Sequence, residues 1–116
     1  MAESDFGTGR IWKVDSKLGK ERETEARMLQ AALAPLGIVP GSLDLADGSD
    51  IGPMLGDGAP GVGLSQDGTQ YFDLHHTPDD TLDKVDPAQM RQNVAAWTAT
   101  LAVMSGGIVP NPRARR

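Results

Sequence analysis

The segment Asp86–Met104, DPAQMRQNVAAWTATLAVM, carries a start signal that leaves little room for anything but a helix. An aspartate just before the first turn accepts hydrogen bonds from the free amides there. Proline at the next position has no N–H to leave unpaired and a φ already suited to a helix. Gln89 completes a pattern like a capping box. Met90, Val94, Trp97, Leu101 and Met104 then recur at steps of four, three, four and three, which predicts one apolar face, and Gly106-Gly107 predicts the end. Such a helix needs an apolar surface to lie on, and the rest of the chain has to supply it.

A second helix is predicted over Lys20–Leu36, with Ala26, Leu29, Leu33 and Leu36 on one face and Gly37 as its stop. MAESD and GRIWKVD read as two short strands around an FGTG turn. IVPGSLDLADGSD reads as a short strand and loop, with Ser49 or Asp50 capping a brief helical turn through IGPML. PGVGLSQ, Pro60–Gln66, reads as a short buried strand. Fourteen glycines and eight prolines punctuate the chain, as expected of short elements joined by defined turns. Strands alternating with amphipathic helices predict an α/β layer arrangement, and 116 residues suffice for one domain with one core. Only Phe6, Trp12, Tyr71, Phe72 and Trp97 are aromatic, so that core has to be aliphatic.

A net charge of −5 argues against nucleic-acid binding, since phosphates would be repelled. The one basic cluster, Arg113–Arg116, reads as a solvated tail. Without cysteine there is neither a disulfide nor a thiolate metal site. No run of about 18 apolar residues predicts a membrane span. MAESDFG has neither the basic nor the apolar region of a signal peptide, and localisation stays open.

The chain's two histidines, His75 and His76, stand side by side beside Asp79, Asp80, Asp83 and Asp86. In an extended segment neighbours face opposite ways, so at most one of the pair serves a given site. Asp5 shares a strand face with Glu3. A carboxylate at a strand end and an imidazole from a later loop are suitable zinc donors. A turn-capping acid and an exposed histidine pair account for the same residues equally simply. The four aspartates read as turn and cap residues.

ESDFGTG, GSDIGPM and YFDLHHTPDDTLDKVDPAQMRQNVAA, in that order, resemble the C-terminal part of the co-catalytic di-zinc exopeptidases, the metallopeptidase family of carboxypeptidase Q and the aminopeptidase Y type enzymes. The resemblance runs from Glu3 to Ser105. It implies a partial three-layer α/β sandwich with a mixed sheet over residues 1–105, followed by a flexible tail over 106–116. It implies Asp5 as a ligand of one zinc and His76 as a ligand of the other. Thr77, Asp80 and Thr81 would brace the turn. His75, Tyr71 and Asp50 would lie near the peptide substrate, while a packed aromatic and a helix cap remain equal readings of Tyr71 and Asp50. Relatives in that family are often periplasmic or secreted.

The family's first histidine, bridging aspartate, glutamate ligand and general-base glutamate lie upstream of its ESD strand, and no such segments occur in these 116 residues. One donor for each of two metals is too few, because a catalytic zinc normally has three protein ligands. The expectation is a piece of a zinc-dependent exopeptidase, inactive alone, with no catalytic residue of its own. A strand edge and an apolar helix face left uncovered would favour a homo-oligomer, or association with a chain carrying the missing half. The alternative is a non-catalytic oligomeric or binding remnant of the same fold.

Overall fold

In a computed structural model, which describes residues 1–45 and 48–106, the strand Ile11–Lys17 (β1) lies at the centre of a three-stranded sheet ordered β2–β1–β3. Val39–Pro40 (β2) runs parallel to it and Gly61–Gln66 (β3) antiparallel, giving the mixed sheet the resemblance implies. The expected tail and its arginines, beyond Gly106, lie outside the described residues.

The register shows why β1 and β3 can be sandwiched. Val14 pairs with Leu64 and Ser16 with Val62 on one face, and Lys13, Asp15 and Lys17 pair with Ser65, Gly63 and Gly61 on the other. The first face is covered by Glu23–Leu33 (α1) and Pro87–Met104 (α4), where Ala26, Leu29, Leu33, Ala96 and Val103 join Ile11, Val14, Val62 and Leu64 in an aliphatic core. On the second face Leu45, Ile51 and Leu55 form a smaller cluster beside the short helix Gly52–Gly56 (α2). A Cβ at Gly61 would sit 2.5 Å from Leu55 Cδ2, and one at Gly63 2.8 Å from Leu45 Cδ1. The Gly-Val-Gly-Leu alternation in β3 therefore builds a greasy face and a bare one that lets leucines approach.

Helix α1 falls inside the predicted 20–36, but its ends, Lys20–Arg22 and Ala34–Leu36, are 3-10 turns. Gly37 closes it in the left-handed conformation, at φ 76°. MAESD is not a regular strand. Its ties to β3 are the Met1 ammonium donating to Pro60 O (2.8 Å) and Val62 N–H donating to Met1 O (2.9 Å). The reason is that Glu3 turns aside to bond the loop before α2, accepting from the N–H groups of Asp50 (2.9 Å) and Ile51 (3.2 Å). That also displaces the expected cap: neither Ser49 nor Asp50 caps α2 with its own side chain. A further helical turn, Tyr71–Leu74 (α3), was not foreseen from the sequence.

The largest departure is in α4. Its N-terminus is as expected, with Asp86 Oδ1 accepting from Ala88 N (2.6 Å) and Gln89 N (3.1 Å). Its buried face, however, is Gln92, Asn93, Ala96, Thr100 and Val103, while Val94 and Leu101 are 58% and 66% exposed. The cause is the segment leading into β1. Beyond its bulge at Ile11–Lys13, this segment lacks a neighbouring strand on the helix side, and its backbone groups need partners. Gln92 supplies them as a strand would: its Oε1 accepts from Ile11 N–H (3.0 Å) and its Nε2 donates to Ile11 O (2.7 Å). Asn93 Nδ2 donates to Gly9 O (2.9 Å), and its Oδ1 accepts from Gln66 Nε2 (2.6 Å), which also donates to Gly7 O (2.7 Å). Satisfying these buried groups outweighs burying Val94 and Leu101.

Gln92→Leu keeps the volume but strands both polar groups of Ile11, and is expected to destabilise the chain by ~2–4 kcal/mol in urea unfolding. A loss below ~0.5 kcal/mol would mean that the amide does not act as a strand substitute.

Candidate functional site

A cleft of about 610 Å³ opens between the arm Ser4–Gly9, α3 with the two histidines, the turn around Asp80–Asp86 and the start of α4 at Gln89. Asp5, Tyr71, His75 and His76 all line it. Asp50 does not: it is exposed on the loop before α2, its amide held by Glu3.

One wall is a column of rings. Phe6 stacks on Tyr71 with centroids 4.2 Å apart, Tyr71 on His75 at 4.5 Å, and His75 on His76 at 3.7 Å. Phe72 stands edge-on to both Phe6 and Tyr71 and is 77% exposed. Three of the five aromatic residues thus gather here rather than in the core. Offset stacking of this kind holds rings at fixed spacing. Because α3 is a single turn, Tyr71 and His75, four residues apart, fall on one side of it. The helix ends at His75, and His76 follows at φ 58°, the one non-glycine with positive φ among the described residues. That conformation folds the second imidazole back onto the first instead of sending it to the opposite side, as an extended pair would.

The turn after His76 is braced by short-range bonds. Thr77 Oγ1 donates to Leu74 O (2.7 Å) and accepts from Asp79 N–H (3.2 Å), Asp80 N–H donates to Thr77 O (3.2 Å), and Thr81 Oγ1 donates to Asp83 Oδ1 (2.6 Å). The Thr81 hydroxyl holds the Asp83 carboxyl below the usual carboxylate range, and the bond from Lys84 to Asp79 raises the Lys84 ammonium above its ordinary value. Across the cleft the hydroxyl and amide of Thr69, donating to Asp67, lower that carboxyl as well. The two carboxylate turns are therefore lost as pH falls through their lowered folded values. The lysine contact holds below the unfolded lysine value and is lost as pH rises through the folded one.

Asp5 Oδ2 accepts from Ser49 Oγ at 3.2 Å, and both Asp5 and His76 are exposed to the cleft. Their oxygen and nitrogen are donors of the kind zinc takes. Their number does not suffice: among the described residues no three histidine, aspartate or glutamate side chains converge on one point. Two contributors to this region escaped the sequence reading. Phe6 carries no local signal, because its place is set by Gly68, where any side chain would meet the ring. Glu3 gave no signal beyond sharing a face with Asp5, because its partners lie 47 and 48 residues away.

No protein-family profile matches the chain. It is 34% identical over 109 residues to carboxypeptidase Q of Bos taurus, covering 90% of this chain and 22% of that protein. With carboxypeptidase Q of Xenopus laevis the identity is 32% over 107 residues, and with that of Homo sapiens 30% over 105, with the same coverage. Superposed on the crystal structure of a peptidase M28 precursor from Shewanella amazonensis SB2B, it gives a TM-score of 0.77 at 38% identity, over 88% of this chain and 24% of that one. The chain thus spans about a fifth to a quarter of the length of the proteins it matches. Over about nine-tenths of its own length it is homologous to carboxypeptidase Q and peptidase M28, and its mixed α/β fold is part of the peptidase M28 fold.

Proposed function

We propose that this chain supplies one wall of a zinc-dependent exopeptidase site, with Asp5 and His76 as donors to the metals and the Tyr71–His75 rings as a surface against the peptide substrate. The observation that carries the reading is the meeting of Asp5, Tyr71, His75 and His76 on one cleft, from positions up to 71 residues apart (76 − 5 = 71). The backbone at His76 supports it. A β-carbon in the left-handed region costs roughly 1–2 kcal/mol, and such strain collects at functional sites. Two donors are fewer than the three protein ligands a catalytic zinc normally takes, so the reading assigns turnover to the assembled site.

In a protein or mixture of chains that restores the remaining three-quarters of the fold, Asp5→Ala or His76→Ala is expected to reduce zinc-dependent exopeptidase turnover to background. Full activity in either variant would remove the ligand assignment. In this chain alone His76→Gly is expected to be about 1 kcal/mol more stable than His76→Ala in urea unfolding, since glycine adopts the conformation freely. Equal stability of the two would show that no strain is held there.

A second reading, a non-catalytic oligomeric or binding remnant, is favoured by the outer face of α4, where Val94 and Leu101 stand in solvent. It expects a dimer or larger species on size exclusion, converted to monomer by Leu101→Glu, and a melting temperature unchanged by chelator. A monomeric wild-type chain would eliminate its oligomeric form.

A further inference from the structure

We propose that Glu3 is a positioning residue for the Asp5 carboxylate, acting through the loop that carries Ser49. Residues 3 and 5 both reach the loop Gly48–Ile51. Glu3 Oε2 accepts from two consecutive backbone N–H groups, Asp50 at 2.9 Å and Ile51 at 3.2 Å. Hydrogen bonds from amides to a carboxylate are stronger than neutral ones. The loop is shaped for this contact: a Cβ at Gly48 would sit 2.9 Å from Glu3 Oε1 and 2.6 Å from Ile51 Cγ1. With the loop drawn against the arm, Ser49 Oγ reaches Asp5 Oδ2 at 3.2 Å.

Asp5 therefore sits between two anchors. Upstream are the Glu3 contact and the Met1 bonds to Pro60 and Val62. Downstream, Phe6 is stacked on Tyr71. Among the described residues, Glu3, Asp5 and Ser49 supply the side-chain hydrogen bonds that join loop to arm. Glu3 bonds backbone, so it is indifferent to the side chain at 50 and sets only where the loop lies. The inference rests on the reading of Asp5 as a functional group of the cleft, but it concerns the carboxylate's place and needs neither metal nor turnover.

The test is heteronuclear NMR on the isotope-labelled 116-residue chain. Glu3→Ala is expected to speed amide hydrogen exchange at Asp50 and Ile51 by roughly tenfold or more, and to shift the Asp5 side-chain carboxyl resonance. The core methyls of Leu29 and Leu33 should keep their positions. Glu3→Gln, whose side-chain oxygen still accepts, should restore most of the wild-type pattern, and Ser49→Ala should shift the Asp5 carboxyl without speeding exchange at Asp50 and Ile51. Gly48→Ala should reproduce Glu3→Ala by pushing the carboxylate away. If Glu3→Ala frees both amides yet leaves the Asp5 carboxyl in place, Glu3 merely caps α2 and the positioning role is overturned. It is equally overturned if Glu3→Gln behaves like Glu3→Ala. Failure of the peptidase reading would appear instead in the reconstituted activity of the Asp5 and His76 variants, a separate measurement.

Discussion

Three buried amide side chains decide how this chain is put together. Gln66 bonds Asn93, and with Gln92 the pair holds the backbone of residues 7, 9 and 11 at the entry to β1. An interior of aliphatic side chains cannot hold unpaired backbone groups at acceptable cost. The amides convert that liability into a fixed position and tie three segments together: β3 through Gln66, α4 through Gln92 and Asn93, and the arm through its carbonyls.

The cleft inherits its geometry from this arrangement. Asp5 and Phe6 precede Gly7, whose carbonyl is gripped by Gln66, so the arm leaves the buried network already aimed across α3. Asn93 lies one turn beyond Gln89, which lines the cleft, and its side chain bonds both Gln89 O and Gly9 O of the arm. Packing of α1 and α4 on β1 and β3 supplies the rigid backing, and the rings from Phe6 to His76 take their spacing from one another rather than from the aliphatic interior.

What could be read in advance follows a physical division. Helix signals act over three or four residues, so Asp86-Pro87 and the Ala26, Leu29, Leu33 stripe located α4 and α1. The short segment Pro60–Gln66 between turns reads as the strand that β3 is. The face of α4 is not legible locally, because hydropathy alone ranks Val94 and Leu101 above Gln92 and Asn93, and the value of those amides depends on a bulge in another element. Asp5 and His76 were singled out by their kinds and by family resemblance, whereas no local pattern could reveal Glu3, whose partners are distant backbone groups that every residue possesses.

Pairing in β1 has a consequence in time. Its antiparallel partners run from Lys17 with Gly61 to Ile11 with Gln66, and the bond from Ile11 N–H to Gln92 joins residues 81 apart. Contacts of such sequence separation carry a large loop-closure entropy before they return any stabilisation, which slows folding. Helices α1 and α4 are built from neighbouring residues and have no such obstacle. The arm bearing Asp5 is held by β3, a loop and α4 across 44 to 84 residues of chain, so the cleft carries the same closure entropy as β1.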